Sequence, residues 1–79
     1  MQKELENIEL ELSTRIYKLY LEKFKDNKSA FARACNCKEA TIRRIFRNEQ
    51  GITANLLFRI CFALDIKLSA LVKDLEIKK

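Results

Sequence analysis

No proline interrupts these 79 residues, and Gly51 is the single glycine. A chain so poor in breakers has few ways to turn, and helix is what its remaining residues favour. The expected fold is all-α: short helices packed as one domain. At this length the domain lies near the lower limit for a core that folds without staples. Association with a second chain is a natural supplement to so small a core.

The most structured stretch runs from Lys28 to Arg47, KSAFARACNCKEATIRRIFR. Phe31, Ala32 and Cys35 mark one face of a short helix over about 28–35. Ile42, Ile45 and Phe46 mark one face of another over about 39–47. Asn36 opens the turn between them, at 36–38. After Gly, Asn best tolerates the left-handed backbone that so tight a turn needs. Ala32 has almost no side chain where the two helices cross. The outward positions are Lys28, Arg33, Lys38, Arg43, Arg44 and Arg47, against one acid, Glu39.

The flanks carry further helices. Ile16, Leu19 and Tyr20 continue a stripe begun by Leu5, Ile8 and Leu12. Ile8 to Leu12 also alternates apolar with acidic, which is a strand pattern. Ser13 is a fair N-cap, so a first helix is expected over about 14–25, with 3–12 as a helical extension. Asn27 caps the next helix. Asn48 suits a left-handed stop, and Thr53 caps a fourth helix over about 54–64. Its buried stripe is Leu56, Leu57, Ile60, Cys61 and Leu64. A fifth helix is expected over about 69–76, with Leu71, Val72 and Leu75 inward.

With these elements placed, the chain resembles the phage repressor/Cro-type (Xre-like) helix-turn-helix DNA-binding domains. That family has an Ala in its first motif helix, a Gly in the turn and two aliphatics in the second helix. The matching places are Ala32, Asn36, Ile42 and Ile45. ITANLLFRICFALDIKLSALV resembles the family's closing two helices. Departures are visible: Asn36, Asn48 and Asp65 stand for Gly, and Lys28 for Gln. Leu21 and Phe46 occupy the places of a common Arg–Glu pair. Two packed hydrophobes there avoid desolvating charge. The resemblance implies a five-helix repressor-like domain over 13–76, preceded by an extension over 1–12.

It also implies a site. The third helix enters the DNA major groove, with Lys38, Glu39, Ala40, Arg43 and Arg44 facing bases. Arg44 suits guanine, Glu39 cytosine N4 and Ala40 a thymine methyl. Lys28, Arg47 and Asn48 suit phosphates. Charge agrees with a polyanionic partner. Four Glu against Lys3 set residues 1–12 at −3, and the rest of the chain carries +8. Repressors of this type act as dimers on palindromic operators. Leu5, Ile8, Leu10, Leu12 and Ile77, least needed by the core, are the candidate dimer or partner surface.

Other chemistries lack residues. The chain has no histidine, no phosphate-cradling glycine loop and no nucleophile motif, so no enzyme and no cofactor is expected. Cys35, Cys37 and Cys61 are poorly spaced for a metal, and Cys35 and Cys61 read as small core residues. No apolar run is long enough for a membrane span, and the N-terminus lacks a signal-peptide core. The expected setting is cytoplasmic, in a bacterium or phage, at the nucleoid. A competing function is a protein-interaction module, such as an antitoxin, whose N-terminal arm binds a partner protein.

Overall fold

The computed structural model describes residues 2–75, with side chains from residue 7 onward. Five helices follow in order: α1 (Gln2–Phe24), α2 (Lys28–Ala34), α3 (Glu39–Phe46), α4 (Ala54–Leu64) and α5 (Leu68–Leu71). No strand occurs among the described residues. The fold class and the helix-turn-helix are those expected.

Three helix ends close in the same way, and none uses glycine. At the end of α2, Asn36 is left-handed (φ 56°). Its N–H donates to the Arg33 carbonyl (3.0 Å), and the next N–H, of Cys37, reaches back to Ala32 (2.9 Å). This pair of bonds satisfies carbonyls that the helix itself leaves open. Asn48 (φ 59°) ends α3 and Asp65 (φ 53°) ends α4 with the same two bonds. Starts follow the sequence too: Asn27 accepts from the Ala30 N–H (3.0 Å), and Thr53 from Leu56 (3.2 Å). Asn36→Gly is therefore expected to be neutral or stabilising in urea unfolding. Asn36→Val is expected to cost about 1–2 kcal/mol. Equal tolerance of both would contradict the turn.

The expected start of a helix at Thr14 is corrected. α1 runs unbroken across Ser13, which is buried inside it. The Ser13 hydroxyl donates to the Ile45 carbonyl (3.3 Å) at the end of α3. Ser13 thus joins two helices instead of capping one. The periodic stripe through Leu12, Ile16, Leu19 and Tyr20 prevails over the local alternation, because all four meet the core.

That core is aromatic where α1, α2 and α3 meet. The Tyr20 ring lies 5.1 Å from both Phe31 and Phe46, and Phe24 lies 5.1 Å from Phe31. Such pairs add to the area they bury. Ile16, Ile42, Ile60 and Leu64 are fully buried, with Ala32 at the α2–α3 crossing. Cys35 and Cys61 are buried core residues, as expected. The role expected for Leu21 is corrected: it stands in solvent at 37% exposure. Tyr17, one turn earlier, meets Phe46 edge-on instead, at 5.0 Å.

The fifth helix is also shorter than expected. α5 ends at Leu71, and Asp74 is left-handed (φ 62°). Arg15 of α1 takes the terminal carbonyls, donating to Leu71 (2.9 Å) and Lys73 (2.7 Å). Leu71 is buried; Val72 and Leu75 are half-buried. Among the expected partner-surface residues, Leu12 packs on the core, Ile8 is half-buried and Leu10 is exposed. The Leu5 side chain and Ile77 lie outside the described residues.

Candidate nucleic-acid interface

α3 has two faces with different tasks. Ile42 and Ile45 are buried and fix its roll. On the opposite face Ala40, Arg43, Arg44 and Arg47 are exposed, an arc that follows from 100° per residue. α3 packs on α1 and α2 but not on α4 or α5, and its Arg43, Arg44 and Ala40 stay exposed among the described residues. Lys38, at the N-cap, is exposed beside it. The helix thus presents one small apolar residue among cations.

Side chains around the start of α3 are tied together. The Ser29 hydroxyl of α2 donates to Glu39 (2.6 Å), and the Arg43 guanidinium pairs with the other Glu39 oxygen. The Ser29 bond, with Arg43 nearby, holds the Glu39 carboxyl below its usual range. Glu39 therefore steadies Arg43 and links α2 to α3. A free carboxylate aimed at cytosine is not what this arrangement displays. The i, i+4 spacing makes the Glu39–Arg43 pair readable from sequence. Ser29, ten positions away, gives no local signal and was missed.

A second chain of contacts positions Lys28. The buried Tyr20 donates its hydroxyl to Asp26 (2.9 Å), and Lys28 pairs with the same carboxylate oxygen (3.4 Å). Burial, then the bond to Asp26, raises the Tyr20 pKa, so the phenol stays a donor at all ordinary pH. Lys28, Ser29, Glu39, Arg43 and Arg47 line one cleft of about 610 Å³ together with Lys25 and Asp26. The structure thus brings Lys28, Glu39, Arg43 and Arg47 to one place. Ala40 and Arg44 lie further round α3. Asn48 lies beyond its end, in the loop, on a different groove.

Behind the motif, Arg59 of α4 donates to the Asn36 carbonyl (2.7 Å) and anchors the turn. Nearby thiols are quiet. Burial pushes the Cys35 pKa up to about 12 and raises those of Cys37 and Cys61. Among the described residues no three potential ligands group around a metal-sized space. No described helix is long and apolar enough to cross a membrane.

Comparison with known proteins agrees with this geometry. No curated protein and no solved structure matches the chain. A family model for the Cro/C1-type HTH DNA-binding domain matches residues 15–76. That span holds the turn at Asn36, the cationic arc of α3 and both closing helices, and the chain belongs to the Cro/C1-type helix-turn-helix DNA-binding family.

Proposed function

We propose that this protein is a sequence-specific regulator of transcription, a repressor that binds a palindromic operator as a dimer. The observation that carries the reading is the uncovered arc of α3, with Ala40, Arg43, Arg44 and Arg47 outward and Ile42 and Ile45 locked inward. A helix displayed this way fits the major groove. Arg44 and Ala40 read bases, with Lys38, Arg43 and the Glu39 that steadies it at the edge of the site. Lys28, Arg47 and Asn48 hold phosphates and fix the register. Residues 13–76 form the DNA-binding unit and 1–12 an arm upon it. The setting is the nucleoid of a bacterium or the genome of a phage.

The test is selection of bound sequences from random duplex DNA. Recovery of a palindrome with half-sites about one helical turn apart is the expected result. Absence of enrichment would overturn sequence-specific reading. On the selected site, Lys28→Ala is expected to weaken all sequences alike and to lower the salt slope by roughly one unit per half-site. An unchanged slope, measured between low and moderate salt, would remove Lys28 from the phosphate set.

One observation favours a second reading, a protein-interaction module. A groove of about 880 Å³ separates the acidic half of α1 from the α3–α4 loop, lined by Leu10, Leu12, Ile45 and Ile52. A partner segment seated there would engage the N-terminal arm. Heparin retention separates the two: the DNA reading requires retention that salt abolishes.

A further inference from the structure

α4 is unusual for a surface helix. Arg59 is the one charged residue among its eleven, and its guanidinium is turned onto the Asn36 carbonyl. The buried side of α4 holds Leu56, Ile60, Cys61 and Leu64. Its other side is apolar as well: Phe58 is 59% exposed and Phe62 84%. Asn55, Phe58 and Phe62 fall within one narrow arc, at i, i+3 and i+7. A helix apolar on both sides belongs in an interior, and in the single chain this one has an interior on one side only.

We propose that the Phe58–Phe62 face of α4 is the contact between two copies of this chain, related by a two-fold axis. The inference rests on the dimeric reading above and names its surface. Charge selects the occupant. Beyond residue 12 each copy carries +8, so two copies repel wherever cationic surfaces meet. Ala54, Asn55, Phe58 and Phe62 form an uncharged strip on which they can close. A foreign partner chosen for this basic protein would bring acids, and the strip has no cation to receive them. A two-fold pair needs no such complement, because the same patch faces itself and ring meets ring.

Area points the same way. An aromatic side chain presents roughly 150–250 Å². The four largely exposed rings of a pair supply about half of the ~1,200 Å² that a small stable interface buries, and the exposed Ala54 and Asn55 flank them. The strip also lies on a different element from the cationic arc, and α4 does not pack on α3. Leu10, the most exposed of the large apolar side chains described on α1, sits instead among Glu9 and Glu11.

The test uses the whole chain. Sedimentation equilibrium at tens of micromolar is expected to give twice the monomer mass, and a Phe58→Glu/Phe62→Glu variant the monomer mass with unchanged circular dichroism. On a full palindrome the variant is expected to bind on the order of 100-fold more weakly, through loss of the linked second half-site. Its affinity for an isolated half-site is expected to be unchanged. In the unmodified chain, concentration-dependent amide shifts in NMR should concentrate in Asn55–Asp65. A wild-type monomer at these concentrations, a variant that keeps the dimer mass, or shifts centred on Ile8–Leu12 would each overturn the proposal. The shifts decide even if the variant fails to fold. A dimer that binds no DNA would keep this interface and refute the DNA reading. A monomer that binds a half-site would do the reverse.

Discussion

Phe31→Ala is expected to cost about 3–5 kcal/mol in urea unfolding, the range for deleting a large buried ring. Phe31 is fully buried. Its ring lies 5.1 Å from both Tyr20 and Phe24 and stacks on Phe46 at 6.3 Å. Removing it empties the point where α1, α2 and α3 converge. α2 has seven residues and only Phe31 and Ala32 buried, so it has little else to hold it. Collapse around the void is limited, because Tyr20 is fixed by its bond to Asp26. A chain of this length has a total stability of roughly 4–12 kcal/mol. The loss would therefore leave it marginal at room temperature. A measured loss under about 1 kcal/mol would mean that the aromatic cluster is not the keystone of the three-helix junction.

Arg44→Ala is the corresponding expectation for function. Arg44 is exposed on the face of α3 opposite Ile42 and Ile45, and no acid is paired with it among the described residues. Arg43, by contrast, is paired with Glu39. Arg44 is thus the guanidinium of α3 best able to offer both its donors to guanine O6 and N7. Such a contact is worth about 1–3 kcal/mol of discrimination, or roughly five- to 150-fold in affinity. The variant should lose that factor on the selected operator and relax preference at one base pair per half-site. Circular dichroism should be unchanged, since the side chain is exposed. Unchanged affinity and unchanged preference together would remove α3 from the role of recognition helix.

Much of this architecture is legible in the sequence because it is local. Asn27 and Thr53 announce helix starts through the bonds their side chains make three residues on. Asn36 and Asn48 announce stops because few other residues sit comfortably at positive φ. Ile42 and Ile45 fix the inner face of α3 by period alone, and that leaves Arg44 outside. Most of the errors are long-range. Ser13 looks like a cap until the Ile45 carbonyl, 32 positions away, is brought to it. α5 looks longer until Arg15 takes the carbonyls of Leu71 and of Lys73 beyond it, from 56 and 58 positions away. Ser29 is silent until α2 crosses α3. Phe58 and Phe62 fall outside the apolar stripe by period, and the fold adds how far they stand in solvent.

The left-handed positions have a consequence for how this protein can change. They are filled by Lys25, Asp26, Asn36, Asn48, Asp65 and Asp74, never by the single glycine. Glycine adopts such a backbone without the crowding that every other residue meets there. Each stop residue is therefore a place where one substitution can relax the backbone, offset in part by the greater freedom of an unfolded glycine. Several small gains of this kind add when the sites are far apart. A lineage that made two or three of them would gain latitude to replace Ala40, Arg43 or Arg44 while still folding. New DNA preferences would then become reachable through turns that lie outside the cationic arc of α3.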